Sequence, residues 1–228
     1  MGFEGSKQVT ILAVTGLKRE AEIAGGLGVV AVTGGGDAKS LAAKLDALHG
    51  DIQGVISIGL GGGLSPLLKV GEVVIADQIL SGPEHWRCDE RWRVALAAKL
   101  PQAHQGPIAA SDVILEDAEA KAALYAKTGA LAVDMESAVA ARFAVLRHLP
   151  FAALRVISDD ARHVLPHAAL VAMKPDGGIA LGRVLGSLLR HPLQVPALIS
   201  TARTSNKAFK ELLRCRGLCG VGLAGLDL

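Results

Sequence analysis

The feature that most constrains this chain is a set of short runs that are apolar at nearly every position. Five are rich in valine, isoleucine or leucine: Val9–Thr15, Val29–Thr33, Val55–Ile58, Val73–Ile75 and Leu154–Ile157. A strand that buries one face alternates apolar and polar residues. A run without that alternation fits a strand covered on both faces. The alanine-rich segments Ala38–Leu48, Arg91–Leu100, Ala118–Lys127 and Glu136–His148 read as the covering helices. Strands alternating with helices predict an α/β domain with a largely parallel central sheet. The 228 residues, half of them hydrophobic, suffice for one domain with a substantial core. No repeat or linker divides the chain, so residues 1–214 are assigned to a single domain. Residues 215–228 read as a C-terminal tail, expected to fray from Gly217 onward.

Composition narrows the function. A formal net charge of +2 supplies no basic field for nucleic acid, and 3% aromatic content supplies no stacking platform for it. Cys88, Cys215 and Cys219 have no paired spacing, so reduced thiols in a cytoplasmic protein are expected. No His/Cys pattern has metal-ligand spacing, so no metal is expected. Met1 to Gln8 lacks an apolar signal core, and no run reaches the roughly 18 apolar residues of a membrane span. Around Leu193–Leu213, apolar residues mix with Arg203, Lys207, Lys210, Arg214 and Arg216, opposed by Glu211. This segment reads either as a solvated helix or as a basic amphipathic surface for peripheral contact with the inner membrane face.

Three glycine-rich stretches follow predicted strands: Thr15-Gly16, Thr33-Gly34-Gly35-Gly36-Asp37 and Gly59-Leu60-Gly61-Gly62-Gly63. Read as turns, they put a ligand site at one edge of the sheet. None has the dinucleotide fingerprint or a P-loop ending, which argues against an oxidoreductase. Acidic residues gather at the same predicted edge. Asp134 can cap the helix that follows it, which leaves Glu136 in the first turn, where the helix dipole favours its charge. A carboxylate there can accept from both hydroxyls of a ribose, or simply support its helix. Asp159 ends a buried strand, where an α/β enzyme commonly carries a catalytic group. Glu20 follows the first strand and can activate water, whereas Lys18 or Arg19 beside it can hold an anion. Arg162 and His163 read as a loop able to close over such a site.

Taken together, these segments resemble the superfamily of purine nucleoside phosphorylases and methylthioadenosine/S-adenosylhomocysteine nucleosidases. The resemblance runs from Val9 to Ala161. It rests on Gly59-Leu60-Gly61-Gly62-Gly63-Leu64 followed by Leu68-Lys69-Val70-Gly71-Glu72-Val73-Val74, then Val133-Asp134-Met135-Glu136-Ser137, then Arg155-Val156-Ile157-Ser158-Asp159. It implies a three-layer α/β/α fold with a twisted, mixed, largely parallel sheet. It further implies that Met135 and Glu136 bind ribose, that Asp159, oriented by Ser158, protonates N7 of the purine, that Glu20 activates water, and that Gly61 and Gly62 line the nucleophile site. Two positions depart from the pattern. Leu60 stands where a small serine is usual, and Ile114 and Leu115 stand where an aromatic faces adenine.

Thr15-Gly16-Leu17-Lys18-Arg19-Glu20 and Met173-Lys174-Pro175-Asp176-Gly177 are most similar to the hopanoid-associated phosphorylases. That resemblance implies adenine release from adenosylhopane, by hydrolysis or with inorganic phosphate as co-substrate, and otherwise no cofactor. It also implies a homo-oligomer. A methylthioadenosine/S-adenosylhomocysteine nucleosidase is the alternative within the family. A non-catalytic nucleoside-binding protein is the alternative outside it, disfavoured because Glu20, Glu136 and Asp159 are all present.

Overall fold

The computed structural model describes residues 10–170, 176–178 and 180–225; Val9 and Met173–Pro175 of the sequence motifs lie outside them. The elements run β1 (Thr10–Thr15), α1 (Lys18–Ala24), β2 (Val29–Thr33), α2 (Ala38–Asp46), β3 (Ile52–Gly63), β4 (Val73–Ser81), β5 (Glu84–Arg87), α3 (Glu90–Lys99), β6 (His104–Ala110), α4 (Ala118–Thr128), β7 (Ala132–Asp134), α5 (Ser137–Leu146), β8 (Phe151–Asp159), α6 (His167–Leu170), α7 (Leu181–Arg190) and α8 (Val195–Cys219).

The apolar runs are strands buried on both faces. Along β1, Ile11 and Ala13 enter one core while Leu12 and Val14 enter the other, as the period of two requires. The first core lies between the sheet and α1, α3 and α8, through Ala24, Trp92, Leu96, Ala208 and Leu212. The second lies between the sheet and α2 and α5, through Leu41, Leu45, Ala140 and Phe143. This is the three-layer α/β/α arrangement, and its sheet is mixed. The β1–β2, β1–β3, β3–β8, β4–β6 and β6–β7 pairs are parallel, whereas β3–β7, β4–β5 and β4–β8 are antiparallel.

Two features were not expected. First, Gly59–Gly63 is not a turn but the far half of the long strand β3, paired with β8 and then with β7. Glycines serve there because neighbouring groups occupy the space a Cβ would need: a Cβ on Gly59 would lie 2.8 Å from the Glu20 carboxyl, and one on Gly61 would lie 2.9 Å from the Val133 carbonyl. Second, β3 bends enough for β7 to join it to β6, so that β3, β8, β4, β6 and β7 close into a ring.

Residues 215–225 are packed rather than frayed. Helix α8 continues to Cys219, a 3-10 turn follows at Val221–Ala224, and Cys215, Cys219 and Leu223 are buried. The Leu223 carbonyl accepts from the indole N–H of Trp92 at 2.9 Å. The apolar stripe of α8 (Ala208, Leu212, Cys215) belongs to the first core, Phe209 lies buried under Arg19, and Leu213 and Leu218 remain exposed on this half of the helix. Arg216 donates to the Ala24 carbonyl, and Arg214 pairs with Glu211.

Candidate active site

The ends of β1, β3, β7 and β8 and the start of α1 and α5 surround a cleft of about 220 Å³. The site residues that the family resemblance implied all line it, with the two wall positions Ile114 and Leu115: Glu20, Gly61, Gly62, Met135, Glu136, Ser158 and Asp159.

Glu20 stands in the third position of α1, and its carboxylate is held by backbone amides. Oε2 accepts from Gly16 and Leu17, and Oε1 accepts from Leu60, each at 2.8 Å. The Leu17 bond is half of a capping box. A carboxylate offers about four acceptor directions, so Oε1, with one backbone donor, retains capacity for another, and Glu20 lines the cleft. Burial pushes this carboxyl above its ordinary range, against the opposing pull of the three amides and of Arg155.

Glu136 directly precedes α5 rather than lying in its first turn, and Asp134 supplies the cap. Asp134 Oδ1 accepts from the Ser137 amide at 3.0 Å and from the Ser137 hydroxyl at 2.7 Å. Glu136 packs against bare backbone: a Cβ on Gly16 would come within 2.9 Å of its Oε1, and one on Gly34 would touch its Cγ at 3.0 Å. Those two glycines are therefore spacers for one carboxylate. Burial, and then the Asp134 charge, push the Glu136 carboxyl up to about 8. Arg155 lies beneath the acids, buried, paired with Asp134 and donating to the Ser57 hydroxyl at 2.7 Å.

Asp159 ends β8 with both oxygens engaged. Ser158 donates to Oδ1 at 2.6 Å, and the Lys121 ammonium pairs with Oδ2. Lys121 was not anticipated. It also donates to the carbonyls of Asp160 and His163, at 2.9 and 3.3 Å. A signal for it existed, because on α4 it lies three and four residues before Leu124 and Tyr125, and so on their inward face.

Other charges lie elsewhere than expected. Lys18 pairs with Asp176 at 2.7 Å, with both side chains more than half exposed. Arg19 donates to Asn206 and covers the Phe209 ring at 4.2 Å. Neither lines the cleft, so neither is the anion holder that its position beside Glu20 allowed. His163 turns to the Thr201 hydroxyl, and neither it nor Arg162 closes over the site. Lys121, Asp134, Leu60, Val113, Leu165 and Ser205 are also among its lining residues. Among the described residues, no group of three or more His, Cys, Asp or Glu side chains is arranged to hold a metal ion.

The family model described as the phosphorylase superfamily matches residues 17–190. Among solved structures, the chain is similar to the 5′-methylthioadenosine/S-adenosylhomocysteine nucleosidase of Neisseria meningitidis in complex with methylthio-immucillin-A. That likeness has 18% identity over 91% of this chain and 97% of the other, with a TM-score of 0.64. It is also similar to the same nucleosidase from S. pneumoniae with a transition-state inhibitor, at 20% identity over 91% and 99% of the two chains and a TM-score of 0.59. Futalosine hydrolase of Helicobacter pylori matches at 19% identity over 91% and 98%, with a TM-score of 0.58. At these identities the structural likeness is one of fold. The family match spans Glu20, Glu136 and Asp159 together with Lys121 and Ser158, and the chain belongs to the phosphorylase superfamily.

Proposed function

We propose that this protein breaks the N-glycosidic bond of an adenine nucleoside, with water as the attacking group. The observation that carries the reading is one cleft lined by four buried acidic side chains, of which Asp134 is held by Arg155 while Glu20, Glu136 and Asp159 are placed for the substrate, with apolar Ile114 and Leu115 on its wall. As the bond from C1′ to N9 lengthens, the sugar gains positive charge and the purine gains negative charge. Glu136 accepts from the two ribose hydroxyls and favours the cationic sugar, while Met135 packs against it. Asp159, held by Ser158, protonates N7. The free acceptor direction of Glu20 Oε1 takes the proton of a water whose oxygen bonds to C1′, beside the backbone of Gly61 and Gly62. Water is favoured over phosphate because a carboxylate faces the nucleophile side, while Lys18 and Arg19 are engaged outside the cleft. No cofactor is needed for this chemistry.

The 5′ substituent is apolar in this reading, with adenosylhopane as the substrate. Val113 and Leu165 extend the apolar lining past the base, and the resemblance to the hopanoid-associated group points the same way. Such a substrate lies in a membrane, and peripheral contact from the cytoplasmic side would use exposed Leu185, Leu193 and Ile199 with Arg190 and Arg203 nearby in the chain. Among the described residues, no helix is long and apolar enough to cross a membrane. A homo-oligomer completes the reading, supported by the family resemblance and by exposed Val145 and Leu146 on α5.

The test is adenine release from nucleosides with increasingly apolar 5′ groups, with and without phosphate. Expected are release without phosphate, a preference that rises with 5′ hydrophobicity, and a loss of about 10²–10⁴-fold in turnover for Asp159→Asn at nearly unchanged folding. A strict phosphate requirement reverses the nucleophile. Selectivity for methylthioadenosine replaces the apolar substrate. Wild-type turnover in Asp159→Asn ends the reading.

A further inference from the structure

Lys121 is a buried charge that the mechanism above leaves unused. Its side chain is 1% exposed, and it reaches Asp159 from α4, an element that carries none of the three acids. An ammonium held out of water needs an acceptor for each of its three protons. Lys121 has three: Asp159 Oδ2 at 2.5 Å, the Asp160 carbonyl at 2.9 Å and the His163 carbonyl at 3.3 Å. The other Asp159 oxygen accepts from Ser158 at 2.6 Å. Both oxygens of Asp159 are thus occupied by donors, one of them an ammonium, the arrangement that suits a carboxylate. A carboxylate can orient a base but has no proton to hand over, and a purine departing through N7 requires one. The nearest transferable proton is on Lys121.

We infer that Lys121 is the proton source of this site and acts through Asp159. In the step, one N–H bond of Lys121 breaks as an O–H bond forms on Asp159. Asp159 delivers a proton to N7 while the electron pair of the C1′–N9 bond moves into the purine. Lysine is left as the neutral amine, and the base leaves uncharged. Lys121 regains a proton from solvent when the base departs. The nucleophile's own proton goes to Glu20 and on to solvent, so the count closes whether or not phosphate replaces water. Lys121 does not contact the reacting bond and is a proton-supplying, positioning residue. The inference rests on the nucleoside-cleaving reading.

The test compares two leaving groups in the full-length protein and in Lys121→Met and Lys121→Arg. The adenine nucleoside that the wild type cleaves best needs protonation at N7. A 4-nitrophenyl β-D-riboside does not, because its phenolate leaves unprotonated. Lys121→Met is expected to lose at least about 100-fold in kcat for adenine release with little change in KM, and to cleave the riboside at close to the wild-type rate. Lys121→Arg keeps a cation on Asp159 but does not give up its proton, so it is expected to be slow on the purine and normal on the riboside. Riboside cleavage also certifies the fold of each variant. Adenine release restored to the wild-type rate by arginine would show that pairing alone suffices and overturn the inference. Equal slowing of both substrates in the two variants would overturn it too. A wild type that releases no adenine from any nucleoside refutes the functional reading itself, which is a distinguishable failure.

Discussion

Glu136 loses nearly all its water when the chain folds, and Asp134 and Glu20 add negative charge beside it, so its carboxyl keeps a proton up to about pH 8 against an ordinary value of 4.5. In the unfolded chain the group ionises near 4.5. Between there and 8 the folded protein therefore binds the extra proton, and stability falls as pH rises, by up to about 1.4 kcal/mol per unit. Glu136→Gln removes that slope. Denaturant titrations from pH 5 to 8 are expected to show the variant gaining on the wild type as pH increases. A constant difference would mean that Glu136 ionises freely in the fold. The same physics predicts that a ribose diol, donating both hydroxyls to the carboxylate form, binds with release of a proton below pH 8. Calorimetry in two buffers of different ionisation enthalpy reads that proton directly.

Among the elements, α8 departs most from its sequence reading. Ending the chain at Arg214 removes buried Cys215, Cys219 and Leu223 and leaves the Trp92 indole N–H without its acceptor. A loss of roughly 3–5 kcal/mol is expected for that truncation, measurable by urea unfolding, where a dispensable tail predicts no change. The buried strands were legible because both-face burial writes an unbroken apolar run, as in β1 and β8. Strand β5 was not, because Glu-His-Trp-Arg lies at a sheet edge with most of its side chains in water. Strand β6 begins with exposed His104 and Gln105 and contains Pro107, and β7 has only three residues, which leaves no periodicity to read. Glu20 and Asp159 were legible because one follows and the other ends a readable strand, and Glu136 because it stands where an alanine-rich helix begins beside a capping Asp134. Lys121 was missed because a lysine among alanines reads as a solvated face, and its spacing to Leu124 and Tyr125 marks only the inward side of α4, not the partner that holds it.

For the molecule as a whole, the ring of β3, β8, β4, β6 and β7 concentrates long-range pairing in its centre and leaves β5 outside. Amide hydrogen exchange should follow that division. The amides of Val55–Ile58 in β3 and of Ala153–Val156 in β8 are expected to exchange only through global unfolding, and those of Glu84–Arg87 through local opening. Uniform exchange across the two groups would contradict a cooperative ring.

The glycine half of β3 carries a further consequence. Its bare backbone touches Glu20 on one side and lies against Asp159 on the other, and these residues are 139 positions apart in the chain. No fragment that lacks either end of that span can therefore assemble the catalytic machinery, and competence appears only once β3 has been joined by both the first strand–helix unit and β8. Anything that grips both acids at once acts as a clasp on the finished molecule, so a tight inhibitor should also slow its digestion by proteases.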